Sequence, residues 1–283
     1  MNAHPMKHLS TIGLTVASFL SIAIALAGES TALDPKTPVV PSAAQSRLML
    51  SGWLEAGITG NFASPNDRQN FGRLFDDRSN EPLLNQFVVT AERMLDPKAS
   101  DRFDWGFKAQ FLYGSDARYL HSAGLLDLTT NDAVQPDIPE VWLLAHFPIT
   151  GTATGLDLKV GKFGTCIGAE MSDPHLNPFY SHSYIYNFGA PFNATGVLAT
   201  LHANTWLDTY VGLTRGVNVT SDDPNDSVSF YGGVGINCCD GRVCCVAMTH
   251  AGPENAHDNH DYRYLSAITL TWRQPTSSLP SPT

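Results

Sequence analysis

Residues 103–113 read Phe-Asp-Trp-Gly-Phe-Lys-Ala-Gln-Phe-Leu-Tyr, and their spacing decides the fold class. Phe103, Trp105, Phe107, Ala109, Phe111 and Tyr113 recur every second position, so they share one face of a strand. Asp104, Lys108 and Gln110 share the other. A face this aromatic is costly to leave in water, so it must meet either a second sheet or lipid. The same period governs the first candidate strand, 47–62, where Leu48, Leu50, Leu54, Ala56, Ile58 and Phe62 oppose Ser51, Glu55, Thr59 and Asn61. It governs the last, 262–273, where Tyr262, Tyr264, Ser266, Ile268, Leu270 and Trp272 alternate with Asp261, Arg263, Thr269, Thr271 and Arg273. Between them the pattern predicts strands at 83–95, 138–148, 156–163, 195–204, 206–216, 227–238 and 243–250, about ten in all.

Two features favour lipid over a second sheet. Phe103 and Tyr113 lie ten positions apart, as do Tyr262 and Trp272. At ~3.3 Å per residue and a tilt of ~45°, each pair spans roughly 23 Å, against an apolar band of about 25 Å flanked by aromatic girdles in outer-membrane barrels. Connection lengths also alternate. The links 63–82, 115–137, 164–194, 217–226 and 251–261 are long; 96–102, 149–155, Asn204-Thr205 and the turn at Asp240-Gly241 are short. Long external loops and short periplasmic turns produce this alternation in a membrane barrel, and both ends of the barrel then lie in the periplasm. The fold class expected is an all-β, antiparallel up-and-down transmembrane barrel.

Bulk properties agree. The chain has 283 residues, of which only 16% are charged, and 23 glycines, as suits a wall half in lipid and half in water. A formal net charge of -10 argues against nucleic acid as a partner; excess acid along a pore would favour cations. At the N-terminus, Lys7 and His8 precede an apolar run from Leu9 to Leu26 that ends in Ala25-Leu26-Ala27. This reads as a cleaved secretory signal over 1–27. A flexible lead-in over 28–46, the barrel over 47–273 and a disordered tail over 274–283 complete the expected organisation.

The stretch 159–200 is distinctive. It contains Gly161-Lys162-Phe163, Thr165, Ile167-Gly168 and Glu170, then Asn177-Pro178-Phe179-Tyr180-Ser181, Ser183, Phe188, Pro191-Phe192 and Thr195-Gly196-Val197. This run resembles the OmpL-like family of bacterial beta-barrel porins, as do LYGSDARY at 112–119 and GPE at 252–254. The resemblance covers roughly 47–273 and implies an outer-membrane channel, with lipid and small hydrophilic solutes as partners and no cofactor. Family members carry further strands beyond the one resembling 262–273, so the resemblance implies either an incomplete larger barrel or ten strands that close by themselves.

Candidate functional residues follow from the faces. Glu55, Thr59, Asp104, Lys108, Gln110, Asp157, Lys159 and Asp208 fall on polar faces and are expected to line the pore. The loop 164–194 holds Glu170, Asp173 and Asn177 with Phe179, Tyr180, Tyr184 and Tyr186. So aromatic a loop should pack, either inward as a constriction or along the outer rim. Cys238-Cys239-Asp240-Gly241-Arg242-Val243-Cys244-Cys245 places two cysteine pairs across a hairpin turn; a cross-turn disulfide such as Cys239–Cys244, or free thiols, is the expectation, and the spacing does not fit a zinc site. His250, His257 and His260 with Asp258 and Asp261 read as a polar surface loop in preference to a weak metal site. No catalytic arrangement or nucleotide motif is present among the patterns sought, and no enzyme activity or metal is expected. The rival readings are a barrel with a structural or adhesion role and no open pore, and a secreted soluble β-protein that binds or hydrolyses carbohydrate. Oligomeric state is open.

Overall fold

The computed structural model describes residues 20–22, 47–97, 99–127, 133–239 and 241–272. Among them twelve strands form one antiparallel sheet. Ten are long: β2 (Leu48–Ile58), β3 (Pro82–Arg93), β4 (Asp104–Gly114), β6 (Val141–Phe147), β7 (Gly155–Gly164), β8 (Asn193–Asn204), β9 (Leu207–Thr214), β10 (Ser229–Cys238), β11 (Val243–Pro253) and β12 (Tyr262–Trp272). Two are short: β1 (Leu20–Ile22) pairs with the outer edge of β2, and β5 (Gln135–Asp137) extends the pairing of β4 towards its loop end. Each long strand pairs with the next in sequence, the up-and-down order that hairpins impose. The sheet is open: β12 pairs with β11 alone among the described strands. The expected signal, lead-in and tail lie outside the described residues, apart from β1. No described helix is long and apolar enough to cross a membrane.

The ten expected strands are all present, with some ends shifted. The first stops at Ile58, and Thr59 is held by an isolated bridge to Ser79; Phe62 therefore lies in the loop. The alternation over 83–95 is imperfect because of a β-bulge. Glu55 pairs with Gln86 but Ala56 pairs with Leu84, so Asn85 is the extra residue, and both Asn85 and Gln86 are buried on the concave side.

Side chains sort by face. The outward positions carry leucine, valine, isoleucine, alanine and aromatics. Only Arg93 and Lys162 are charged among outward positions of the ten long strands, one at each end of the wall. Arg93 lies over the Trp105 ring at 4.5 Å and bonds Asp104. Lys162 is buried and donates to the Ile138 carbonyl at 2.7 Å. Trp105, Phe147, Trp206 and Trp272 are exposed at the short-turn end; Tyr113, Phe230, Tyr262 and Tyr264 are exposed at the long-loop end. Aliphatic residues such as Leu143, Val160, Val211 and Ile268 lie exposed between them. This is the two-girdle order of a membrane wall.

The inner face carries two packed clusters. Under the long loops, Phe75, Val88, Leu112, Ala117, Leu120 and Tyr186 meet, with Ala117 and Leu120 on the short helix α1 (Ala117–Leu120). Within the wall of β7 to β11, Phe163, Leu198, Tyr231, Val246 and Met248 pack together with Ile167 of the following loop. Gly212 of β9 makes the second cluster possible. A Cβ there would lie 2.6 Å from the Val197 carbonyl oxygen and 3.1 Å from both Leu198 Cδ1 and the Tyr231 carbonyl oxygen, so glycine lets the Leu198 side chain and the flanking backbones close over it.

Candidate functional site: the inner face and its loop

Inward residues of adjacent strands meet at matching heights and form chains. Near the short-turn end, Asp104 is shared by Arg47 at 3.0 Å and Arg93 at 2.9 Å, which makes it a clasp between β2, β3 and β4. On the next strand of the ladder His146, the in-register partner of Asp104, contacts Asp157 through Nδ1 at 2.6 Å. His202 contacts Asp157 at 3.3 Å and Asp208 at 2.7 Å. The result is an alternating imidazole–carboxylate ladder across β6, β7, β8 and β9. At mid-height Lys108 pairs with Glu140 at 3.3 Å, Gln110 donates to the Thr90 hydroxyl at 3.0 Å, and the Lys159 ammonium sits 4.8 Å from the Trp142 ring centroid. Of the eight residues expected to line a pore, seven thus face inward from strands, and Thr59 caps β2 at its loop end.

The connection between β7 and β8 covers the concave side of β2, β3 and β4. It does so in two parts. Residues 172–180 dip inward: the Ser172 carbonyl accepts from Gln86 Nε2 at 2.9 Å, the His175 ring meets Trp53 edge-on at 5.6 Å, and the Tyr180 hydroxyl donates to Asn85 Oδ1 at 2.9 Å. Gly57 permits this approach, because a Cβ there would overlap the Tyr180 ring. Asp173 caps the turn by accepting from the His175 N–H, and Asn177 pins it through both backbone groups of Met171 at 2.7 and 2.9 Å. Residues 182–192 instead join the rim. The helix α2 (Tyr184–Phe188) starts at the Ser183 N-cap, and Glu170 accepts from the Ser183 N–H and pairs with His182. Tyr186 is only 4% exposed, buried against Phe75 and Phe192. Phe179, Tyr184 and Phe188 point out to the surface of the rim. Burial holds His182 below the ordinary imidazole range, while its bond to Asp173 raises His175.

Several inner residues escape the alternation count. Trp53, Gln86, His146 and His202 lie on strand positions that parity could have marked. Asn85 is turned inward by the bulge, and Asp116 lies outside any strand. Asp116 is fully buried, bonded by Asn85 at 3.1 Å and Gln86 at 2.9 Å, and burial pushes its carboxyl up to about 7.

All five cysteines are free. Cys239 and Cys244 take different positions in the hairpin. Cys244 pairs with Asn237 and points to the interior, whereas Cys239 leaves the ladder in the turn with φ 55°. His250 is buried against Glu254 at 2.7 Å, away from the exposed His257 and His260. No group of three or more metal-ligating side chains converges among the described residues.

No curated protein and no solved structure matches the chain. A family model described as "Putative beta-barrel porin-2, OmpL-like" matches residues 47–278, which takes in every long strand and the inward loop. The chain belongs to that OmpL-like beta-barrel porin family.

Proposed function

We propose that the protein is an outer-membrane channel that passes small hydrophilic solutes by passive diffusion, narrowed by the inward segment 172–180. The observation that carries this reading is the division of faces: an outward surface with aromatic rims and an aliphatic middle, and an inner face of paired ions and amides. Such a division suits lipid outside and water inside. Under this reading the N-terminal apolar run directs export, and the protein uses no cofactor and performs no catalysis.

One observation favours a closed barrel with a structural role: the apolar cluster of Phe163, Leu198, Tyr231, Val246 and Met248 fills inner space along β7 to β11. Planar-bilayer recording of the purified, folded protein separates the two. Discrete conductance steps are expected from the channel. Folded protein that inserts but carries no current would establish the closed reading.

A further inference from the structure

An electrostatic imbalance lies beneath the inward loop. Glu55 of β2 is only 8% exposed, yet no described side chain gives its carboxylate a hydrogen bond or an ion pair. Glu55 pairs with Gln86 across β2 and β3, and Gln86 Nε2 donates to Asp116 at 2.9 Å, so the two acids flank one amide. Asp116 is bonded only by neutral donors, Asn85 Nδ2, Gln86 Nε2 and the Ser115 hydroxyl at 3.4 Å. Each neighbouring base is engaged elsewhere: Lys108 with Glu140, Arg118 with Asp77 at 2.9 Å, and His175 with Asp173. A buried carboxylate beside a second one, with no base bonded to it among the described residues, is expensive, and a bound cation relieves it.

We propose that Glu55 and Asp116, roofed by residues 172–180, form a binding site for a small organic cation, an alkylammonium or guanidinium group on a passing solute. The proposal rests on the channel reading and names the solute class the constriction selects. Three features specify the ligand. Glu55 offers free acceptors and therefore calls for an N–H donor. Trp53 and Tyr180 stand beside the carboxylates: Trp53 shares Gln86 through Nε1 at 3.0 Å, and Tyr180 is bonded to Asn85. Aromatic rings at such a site favour organic cations. Among the described residues no three metal-ligating side chains converge here, which favours an N–H cation held by two carboxylates over a bare metal ion.

Acidification weakens this site through two of the groups that face it. Asp116, pushed up to about 7 by burial, takes up a proton below that pH. His175 gains charge as pH falls, from a value raised by Asp173. Tyr180 and Tyr186 are raised by burial and stay neutral, and Arg118, raised by Asp77, stays charged throughout.

The test uses the full protein in detergent, titrated calorimetrically with propylguanidinium and propylammonium chlorides at pH 8 and pH 5.5. Reversal potentials in a KCl gradient are recorded in parallel. Saturable binding is expected at pH 8, weaker at pH 5.5. Glu55→Gln should weaken it about tenfold and lower the cation-to-anion permeability ratio about fivefold, as removal of one charge in a narrow, partly desolvated passage implies. Asp116→Asn should act in the same direction and guards against a folding defect peculiar to the first variant. Binding that depends on Glu55 in a protein that passes no current overturns the channel reading and leaves the site standing. Ion conduction with an unchanged permeability ratio in both variants, and no saturable binding, overturns the site and leaves the channel standing.

Discussion

Val211→Arg is expected to destabilise the protein in lipid by about 2–4 kcal/mol, the range for a basic residue near the midplane of a membrane barrel's outer surface. Val211 lies midway along β9 and is 54% exposed, with Ala199 and Gly232 beside it on the same outward face. No acidic outward neighbour is available to pair with the new guanidinium. In water an exposed valine would tolerate arginine with little change, within about ±0.5 kcal/mol. The substitution therefore reports what covers the wall. Thr269→Lys, on the inner face of β12, should change stability far less. Urea unfolding in liposomes, followed by the shift in electrophoretic mobility between folded and unfolded barrel, measures both. Equal stabilities for wild type and Val211→Arg would show that water covers the outward face.

On the channel reading, removal of 172–180, joined by a short glycine linker, is expected to raise single-channel conductance at least about twofold, because the segment lies over the inner face of β2 and β3. The cut is confined to the residues that dip inward. Glu170, His182 and Tyr186 stay, because they hold the rim together through the Ser183 cap and the Phe75 cluster. Loss of Tyr186 as well would open a cavity in that cluster and unfold loops for about 3–5 kcal/mol, mixing a structural defect with the effect sought. Gly57→Leu offers an independent route to the same state, since its side chain needs the space of the Tyr180 ring. Unchanged conductance in both variants would place the narrowest point elsewhere, with the Tyr231 cluster as the next constraint.

Much of the wall was legible from spacing. The run from Phe103 to Tyr113 emerges as β4 with its aromatics outward and Asp104, Lys108 and Gln110 inward. Period two transfers directly from chain to surface as long as the ladder is regular. It fails where an extra residue enters: the bulge at Asn85 turns two successive polar side chains inward, and no count of alternation reveals that. Contacts set by loops were also out of reach. Asp116 reaches the inner face from beyond β4, and its partners come from β3, thirty residues away. The aromatic content of 164–194 correctly implied packing, but not its division. Tyr180 goes inward because Gly57 leaves room, and Tyr184 goes outward because the α2 turn presents it to the opposite side of Tyr186. In the cysteine hairpin the left-handed turn residue takes Cys239 out of the register that orients Cys244, which spacing across the turn does not reveal.

The central claim is that hydrocarbon covers the outward face of this sheet. Site-directed spin labelling tests it most directly: the five cysteines are replaced, and single labels are placed at successive positions from 105 to 113 and from 262 to 272 in lipid vesicles. The account predicts a two-residue alternation in which labels at 105, 107, 109, 111 and 113, and at the even positions of β12, are relaxed by oxygen dissolved in the bilayer. The positions between them should respond to a water-soluble nickel chelate or to neither reagent. Outward labels relaxed by the nickel chelate, or shielded from both reagents as in a packed protein core, would contradict it.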